Sequence, residues 1–400
     1  MSRAGDTSPT GDVSPKSDVT RDGDAARSAS RALDQAFGPG AAIATGTAPG
    51  RVTLVGEHVD YVGGHVACIA VDLALTVVVR PSRDGGWRVA GLGQRVERRE
   101  PVMAGDIGDR LFAVAQALHH SGVPVLPLEM AVAGDLPASA GLASSAAVTL
   151  AGAAAMLRLA GRRINAEELV TVALTAERDI AGIPCGDLDP RAIVHGREGS
   201  VLALDCANGS LQRVAWPWPA VALVVAASGA KHDVGGEEYR RRREAAEQAC
   251  AALGVPTCQE IGERWRELAP ELRPRGRHIA TETLRADAAV RALEAGDVAA
   301  LGRLMDESHE SLRRDCEVST PRLDAMVEAA RRVPGCHGAR LVGAGFGGSV
   351  VALVDQGAAK GCAAALAAVS GLNEATWLVR PAAGVEVTAA DVVGREGDRS

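Results

Sequence analysis

The sequence predicts a protein of two domains in which helices and strands are mixed in both halves, of the α+β or α/β class. Its 400 residues are more than one ordinary core needs and suit two domains of roughly 150–200 residues each. Hydrophobic residues make up 47% of the chain and charged residues 23%, which is the balance of a globular protein. Strand-like and helix-like patterns alternate along both halves, which favours a mixed fold throughout.

The first half begins with a polar segment and continues as alternating elements. Residues 1–28 contain too few apolar side chains to offset the entropy of ordering, so they are predicted to form a disordered tail. Apolar spacing predicts helices at residues 25–37, 107–120, 144–159 and 166–180, and strands at residues 51–55, 66–80 and 128–132. The third of these helices is rich in alanine and is expected to be buried.

The second half begins at Trp216-Pro-Trp-Pro219, where two prolines mark the predicted boundary between domains at residues 29–215 and 216–400. Short apolar strands are predicted on either side of it, at residues 201–204 and 221–225. Further predictions are helices at residues 237–252, 279–294, 298–314 and 321–332, a hairpin within residues 339–354, one more helix and a last pair of strands.

Charge, cysteine spacing and hydropathy exclude several classes of protein. The net charge is −7 and the basic residues are scattered, so no nucleic-acid partner is expected. The run Arg240–Arg243 has acidic neighbours and is predicted to be a solvated helix face. Eight dispersed cysteines without a C-x-x-C pair argue against disulfides and zinc. No long apolar run or signal-type leader is present, so we expect a cytoplasmic protein without membrane contact.

A loop of small residues, Leu136–Ala147, precedes the alanine-rich helix. Free backbone N–H groups and the positive end of the helix dipole at such a junction favour a polyphosphate, and hydroxyls in the first turn suit magnesium. The alternative is a capped core helix with no ligand. Lysine occurs only at positions 16, 231 and 360, so a Walker A loop is excluded.

Three motifs in order resemble those of one known family. They are Gly50-Arg-Val-Thr-Leu-Val-Gly-Glu-His-Val-Asp-Tyr-Val-Gly-Gly64, the loop at residues 136–147, and the glycine-rich segment at residues 339–348. Together with similarity at residues 177–189, 231–243 and 303–334, they resemble the GHMP kinase family and in particular its galactokinase branch. The resemblance implies a two-domain α+β fold, with a ribosomal-protein-S5-like N-terminal domain, a ferredoxin-like C-terminal domain and the active site in the cleft between them.

The resemblance also implies an activity: ATP- and Mg²⁺-dependent phosphorylation of a free monosaccharide, foremost galactose, at its anomeric hydroxyl. By position it makes Asp189 and Arg51 the catalytic pair. It assigns sugar binding to Glu57, His58, Asp60, Gly186 and Tyr239, the nucleotide to Pro137, Ser139, Ala140, Gly141, Leu142, Ala143, Ser144, Ser145 and Ala146, and magnesium to Ser145 and Glu177. Sugar and ATP are thus the expected partners, bound by a monomer or weak homodimer.

Departures from the family pattern leave the acceptor open. Ser139 stands where the loop usually has glycine, and Ala143 where it usually has serine; Asp187, Pro190 and Arg191 replace the usual neighbours of Asp189. A different sugar, an amino sugar or a sugar-like intermediate is therefore an alternative substrate. A sensor of sugar and ATP without catalysis is a third hypothesis, and Asp60 and His58 alone are compatible with an ordinary turn. The glycine segment is predicted to support the backbone of the phosphate loop.

Overall fold

The computed structural model describes residues 22–41, 44–138, 140–183, 185–229, 236–372 and 375–389. Within these ranges the chain forms two sheets and ten α-helices. The strands are β1 (Ala44–Val55), β2 (His65–Pro81), β3 (Trp87–Gly91), β4 (Gln94–Arg98), β5 (Leu128–Gly134), β6 (Ser200–Asp205), β7 (Leu211–Ala215), β8 (Val221–Ala227), β9 (Cys336–Val342), β10 (Ser349–Asp355), β11 (Thr376–Val379) and β12 (Glu386–Ala389).

The helices pack against the sheets and against one another. They are α1 (Asp22–Phe37), α2 (Gly108–His120), α3 (Ser144–Leu159), α4 (Ala166–Leu174), α5 (Leu188–Val194), α6 (Glu237–Leu253), α7 (Arg273–Ala295), α8 (Val298–Arg314), α9 (Pro321–Arg331) and α10 (Ala359–Ser370). A π-helical segment, Thr175–Ile180, continues α4. A short 3₁₀ turn, Asp60–Val62, lies between β1 and β2.

The larger sheet has eight strands, with the order β12-β1-β2-β5-β3-β4 and with β6 and β7 attached beside β2. Only the pairing of β3 with β5 is parallel among the described strand pairs. The smaller sheet has the order β11-β8-β10-β9. One apolar cluster joins them, since it contains Val52 and Val77 of the larger sheet and Val225 and Val351 of the smaller one.

Helix α3 packs unusually close to β1, which explains its composition. A Cβ atom on Gly46 of β1 would lie 2.1 Å from the carbonyl oxygen of Ala151, so only glycine fits at this contact. Alanine on the helix side keeps the approach short, and residues 146–157 are all buried. The close contact fixes the start of α3 relative to β1, and this geometry positions the site described below.

Several predicted elements are confirmed, and three need correction. Helices α3 and α8 have the predicted bounds, and the hairpin of β9 and β10 is antiparallel. The predicted tail overlaps α1, because residues 22–28 are helical; residues 1–21 lie outside the described residues. The helix predicted at residues 166–180 changes to π geometry at Thr175.

The last two strands do not form the predicted pair. Strand β11 pairs with β8 in the smaller sheet, whereas β12 returns to the larger sheet and pairs with β1. The sheets change between β7 and β8, close to the predicted boundary, but the return of β12 means that no single point divides the strands. The boundary at residue 216 therefore stays a prediction. No helix in the described ranges is long and apolar enough to cross a membrane.

Candidate active site

A cavity of about 530 Å³ lies where the ends of β1, α3, α5 and the turn between β9 and β10 meet. Thirteen of the sequence-predicted site residues line it: Arg51, Glu57, His58, Asp60, Gly141, Ala143, Ser144, Ser145, Ala146, Glu177, Gly186, Asp189 and Tyr239. The structure therefore brings the three motifs, which are far apart in the chain, to one cleft. The predicted nucleotide-binding residue Ser139 lies outside the described residues.

Arg51 and Asp189 form an ion pair in this cleft. The Arg51 Nε atom donates a hydrogen bond of 2.7 Å to Asp189 Oδ1, and its Nη1 donates one of 2.6 Å to the carbonyl oxygen of Gly141. Arg51 is 7% exposed, and burial alone lowers its pKa; the Asp189 and Glu57 carboxylates outweigh burial and raise it. The guanidinium is thus permanently charged and joins the acid to the loop before α3.

The loop before α3 has the backbone form of an anion site. Gly141 and Ala143 adopt left-handed conformations with φ of 69° and 60°. For a non-glycine residue such a conformation costs on the order of 1 kcal/mol, so Ala143 is strained. The first residues of α3, Ser144–Ala146, line the cavity, and the N–H groups of a first helical turn have no partner inside the helix.

Three predicted nucleotide-binding residues do not line the cavity. Ala140 and Leu142 are buried, and their carbonyl oxygens accept hydrogen bonds from the Ser349 hydroxyl and the Arg51 N–H. Pro137 is also absent from the lining of the cleft. These residues hold the loop in place. Their direct contact with a nucleotide stays a prediction.

The glycine turn after β9 supports this loop, as the sequence predicted. A Cβ atom on Gly141 would lie 2.8 Å from the Val342 carbonyl oxygen, and one on Gly343 would lie 3.0 Å from Gly141 Cα. The two backbones touch without side chains between them, because both positions are glycine. The loop and the turn are therefore in direct backbone contact.

Glu177 lies on the π-helical segment, beside the start of α3. Its Oε1 accepts hydrogen bonds from Thr149 Oγ1 at 3.1 Å and from Arg110 Nη1 at 3.4 Å. The same Thr149 hydroxyl also lies 3.1 Å from the Ser145 carbonyl oxygen, so its one proton is shared between the two acceptors and the two predicted magnesium ligands are linked through one side chain. Burial raises the pKa of Glu177, and the Arg110 guanidinium opposes this rise.

Arg110 and Thr149 were not identified from the sequence. Thr149 follows Ser145 by one helical turn, and that spacing was a usable signal. Arg110 gave no local signal, because its contact with Glu177 depends on how α2 packs against the π-helical segment. Both belong to the site by contact.

His58 is held in one tautomer at the side of the cleft. Its Nε2 lies 3.1 Å from the Ala344 carbonyl oxygen and must donate to it, so Nδ1 accepts from the Tyr61 hydroxyl at 3.0 Å. Burial lowers the pKa of His58 to about 3, which keeps the ring neutral at pH 7. The chain's two tyrosines, Tyr61 and Tyr239, both contact this ring.

Asp60 lies at the start of the 3₁₀ turn and approaches Gly186 closely. A Cβ atom on Gly186 would lie 1.7 Å from Asp60 Oδ2, so no other residue fits there without moving the carboxylate. Burial, with the carboxylates of Asp189 and Glu57, raises the pKa of Asp60 to about 7. Asp60 lines the cleft, and among the described residues none donates a hydrogen bond to its carboxylate.

The unusual charges beside Asp189 neutralise each other. Arg191 Nε donates to Asp187 Oδ2 at 3.0 Å, and its Nη1 donates to Glu167 Oε2 at 3.1 Å. Glu167 also contacts His195 Nε2 at 3.1 Å. Asp187 is thus occupied by an arginine of its own helix. Pro190 lies in the first turn of α5, where a missing N–H breaks no helical hydrogen bond.

Three family models match the sequence. The model described as "GHMP kinases N terminal domain" matches residues 109–197, "GHMP kinases C terminal" matches residues 289–370, and "Galactokinase galactose-binding signature" matches residues 33–81. The last of these contains Arg51, Glu57, His58 and Asp60. The first contains the loop before α3, Glu177 and Asp189.

Curated relatives and solved structures agree with these models. The sequence is 38% identical over 77% of its length to a galactokinase of Roseiflexus sp. (strain RS-1), of which the match covers 83%, and 34% identical over 83% of its length to that of Homo sapiens, with 88% covered. A crystal structure of Lactococcus lactis galactokinase complexed with galactose superposes with a TM-score of 0.83 at 24% identity, covering 90% of this chain and 99% of that one. A crystal structure of mevalonate kinase covers 85% and 99% of the two chains, with a TM-score of 0.64 at 20% identity.

Proposed function

Because this chain belongs to the GHMP kinase family, we propose that it transfers the γ-phosphoryl group of ATP to the anomeric hydroxyl of galactose. The product is α-galactose 1-phosphate, with ADP released. Galactokinase relatives from bacteria and mammals match most of the chain, which supports galactose as the acceptor. The observation that carries the proposal is the 2.7 Å pair of Arg51 and Asp189 beside the start of α3.

This pair suits phosphoryl transfer to a sugar hydroxyl. In the reaction a bond forms between the anomeric oxygen and Pγ, the bond from Pγ to the bridging oxygen breaks, and the hydroxyl proton leaves. Asp189, 32% exposed, is accessible from the cleft and accepts that proton. Arg51 orients the carboxylate and adds positive charge where the transferred group develops negative charge.

The acceptor lies, in this proposal, against Glu57, Asp60, Gly186 and Tyr239. Carboxylates accept hydrogen bonds from sugar hydroxyls, and a phenol donates or accepts. Burial raises the pKa of Tyr239, so its hydroxyl remains protonated. An epimer with one inverted hydroxyl leaves a buried polar group unpaired, which gives a physical basis for selectivity among hexoses.

The nucleotide phosphates would lie at the first turn of α3, where Ser145 and Glu177 would hold the magnesium ion. Their oxygens are the hard donors that this ion prefers, and ATP and water would complete its shell. The described residues contain no group of three or more His, Cys, Asp or Glu side chains that could hold a metal ion, so the protein supplies few ligands. Magnesium would neutralise phosphate charge during transfer.

Turnover with a panel of free sugars tests the proposal. Purified protein is incubated with ATP, MgCl₂ and either galactose, glucose, galactosamine or N-acetylgalactosamine, and ADP release is followed by coupled assay. We expect galactose to give the highest kcat/KM, and glucose, its C-4 epimer, to react far less. Preference for galactosamine would favour the amino-sugar alternative, and no turnover with any sugar would favour the non-catalytic sensor.

The ion pair of Asp187 with Arg191 weakens one reason for expecting a cationic acceptor. Asp187 departs from the family pattern, but its charge already faces an arginine and is not left for a protonated amine on the substrate. A cytoplasmic location and a monomeric or weakly dimeric state remain predictions from the sequence.

A further inference from the structure

Arg340 is the largest fully buried side chain in the described structure and lies behind the acceptor side of the cleft. It sits on β9, with 0% exposure. Its Nη1 donates a hydrogen bond of 3.2 Å to the Thr53 carbonyl oxygen of β1. Its Nη2 lies 3.6 Å from Glu57 Oε1. Among the described residues, none accepts a hydrogen bond from its Nε or Nη2.

Burying an arginine with two donor nitrogens that make no hydrogen bond costs folding free energy, so the presence of this charge needs an explanation. Packing alone does not supply one, because a methionine fills similar volume without a charge. The guanidinium faces two carboxylates that lower this cost. Burial lowers the pKa of Arg340, and the charges of Glu57 and Glu282 oppose that change.

Glu57 is the partner that reaches the cleft. It is 4% exposed and lines the cavity, and its Oε1 accepts a 2.7 Å hydrogen bond from the Gly343 N–H. That N–H belongs to the glycine turn that supports the loop before α3. Glu57 therefore has two tasks: it holds this turn and, under the proposed function, accepts a sugar hydroxyl. Both hydrogen bonds are stronger when the Glu57 carboxylate is ionised, because a charged acceptor forms stronger hydrogen bonds than a neutral one.

We propose that Arg340 is a positioning residue for the acceptor site, which keeps Glu57 ionised so that it binds both the Gly343 N–H and a sugar hydroxyl. Arg340 does not itself line the cleft and acts through Glu57. This inference rests on the proposed function for the identity of the acceptor. The charge coupling itself is independent of which ligand binds.

The electrostatics around Glu57 agree with this role. Burial raises the pKa of Glu57 above its usual value, and Asp189 adds to the rise. Arg340, then Arg51 and the Gly343 N–H, limit that rise without cancelling it. The other titratable groups facing it are Asp60 of the 3₁₀ turn, Cys68 of β2, and His278 of α7, whose Nε2 contacts the Glu57 carbonyl oxygen. Burial lowers the pKa of His278 to about 4, so it adds no positive charge at pH 7. Arg340 is the first of the opposing charges, so its loss should raise the pKa of Glu57 further and favour the protonated form.

The test compares Arg340→Met with Glu57→Gln, the double variant and Arg331→Met. Arg331 is a matched control: it is a partly buried arginine paired with Asp306 that contacts β9 but not the cleft. Folding is checked by circular dichroism. Kinetics are measured from pH 6 to pH 9, with separate KM values for galactose and ATP.

We expect Arg340→Met to lower kcat/KM for galactose about tenfold or more at pH 6.5, mainly through KM, since one unit of pKa is a tenfold change. The loss should shrink as pH rises, because Glu57 then ionises without help. The double variant should regain no more kcat/KM at high pH than Glu57→Gln does. Arg331→Met should leave the pH profile of kcat/KM for galactose unchanged. A loss equal at all pH values, or one confined to KM for ATP, would overturn the inference.

Two further measurements keep the outcome decisive. If Arg340→Met does not fold, Arg340→Lys retains the charge and should keep activity within about fivefold, an allowance for altered geometry; a larger loss with intact folding would contradict the charge role. If the wild type phosphorylates no sugar, the proposed function fails, but melting temperatures still test the coupling. In Arg340→Met, protonation of Glu57 removes a buried charge that has lost its partner. The melting temperature of this variant should therefore approach that of the wild type as pH falls. The double variant has no Glu57 carboxyl group and should show no such change.

Discussion

Individual side chains in the cleft are fixed by contacts that leave little freedom. Arg51 bonds to Asp189 and to the backbone of Gly141, and His58 bonds at both ring nitrogens. Such a site is set up before any ligand arrives, which lowers the reorganisation needed during phosphoryl transfer. Asp60 differs, because its carboxylate has no donor among the described residues. Burial and the neighbouring carboxylates raise the pKa of Asp60 to about 7, so its charge changes near neutral pH.

We expect Gly186→Ala to weaken sugar binding. The new Cβ would lie 1.7 Å from Asp60 Oδ2, so the Asp60 carboxylate must move. The expected result is a rise of about ten- to hundredfold in KM for galactose, equivalent to about 1.4–2.8 kcal/mol, with KM for ATP unchanged. Steady-state kinetics with each substrate varied in turn checks this. An unchanged KM for galactose would show that the sugar does not contact Asp60.

The pKa of Asp60, raised to about 7, predicts a pH dependence for the enzyme. Protonation weakens Asp60 as an acceptor of hydrogen bonds from the sugar. The value of kcat/KM for galactose should therefore fall as pH drops below about 7. Asp60→Asn should lower kcat/KM overall and remove this limb of the profile. If the limb persists in Asp60→Asn with the same midpoint, another group is responsible.

At the scale of elements, local patterns predicted well and long-range pairing did not. The bounds of α3 followed from a dense run of alanine and leucine, because burial on all sides favours small and apolar residues. The short helix α5 was not predicted, because a proline normally indicates the end of a helix. Pro190 is compatible with α5 only because it lies in the first turn, which the sequence alone did not show. The return of β12 to β1 depends on contacts between residues at opposite ends of the chain, for example Thr47 opposite Glu386.

The same division applies to the site. Arg51, Glu57, Asp60, Gly186 and Asp189 were predicted because they occur in motifs, and the structure brings them to one cleft. The contributions of Arg110 and Arg340 were not predicted, because each acts through a partner distant in sequence. Tyr61 lies only three residues from its partner His58 and was also missed. A family motif identifies residue types at fixed spacing along the chain. The contacts that support those residues depend on how the chain packs, which the motif does not show.

The contact between the loop before α3 and the glycine turn can be tested with Gly141→Ala. This change adds backbone strain at φ 69° and places a Cβ 2.8 Å from the Val342 carbonyl oxygen. Gly161→Ala is the matched control, with the same φ of 69° and no atom within 4 Å. We expect the control to lose about 1 kcal/mol of unfolding free energy and Gly141→Ala about 2–4 kcal/mol, from strain plus displaced backbone.

Chemical denaturation measures these stabilities, and a nucleotide-binding titration completes the test. Gly141→Ala should also weaken ATP binding, because the loop carries the first N–H groups of α3. Equal losses in both variants would mean that the loop and the turn are not coupled.

At the scale of the whole molecule, buried polar contacts join the two sheets through the site. Glu282 on α7 accepts hydrogen bonds from the Gly56 N–H after β1, from Ser308 on α8 and from Arg285. Gly343 after β9 donates to Glu57 after β1. The cleft is therefore part of what holds the fold together, and ligand binding there should stabilise the protein.

We expect Glu282→Ala to destabilise the protein by about 3–5 kcal/mol at pH 7, because it leaves buried donors and a buried cation unpaired. Burial alone raises the pKa of Glu282, but Arg285 and the other neighbours outweigh it and lower the pKa to about 2. A depressed pKa gives stability that is present above the unfolded value near 4.5 and is lost as pH falls toward 2. Urea unfolding at pH 7 and pH 3 should show the difference between wild type and variant narrowing at the lower pH. If the difference in unfolding free energy between wild type and Glu282→Ala is the same at both pH values, the destabilisation comes from lost packing rather than from lost charge.

The central claim is that Asp189, held by Arg51 at the start of α3, serves phosphoryl transfer to the anomeric hydroxyl. The most direct measurement is ³¹P NMR of the products formed from ATP, Mg²⁺ and galactose by the wild type and by Asp189→Ala, with ATP binding measured for both. We expect an α-galactose 1-phosphate signal from the wild type. We expect a rate about 10²–10⁴ lower for the variant, the range for loss of a general base, with ATP binding retained. Equal rates, or phosphate on a different hydroxyl, would contradict the claim.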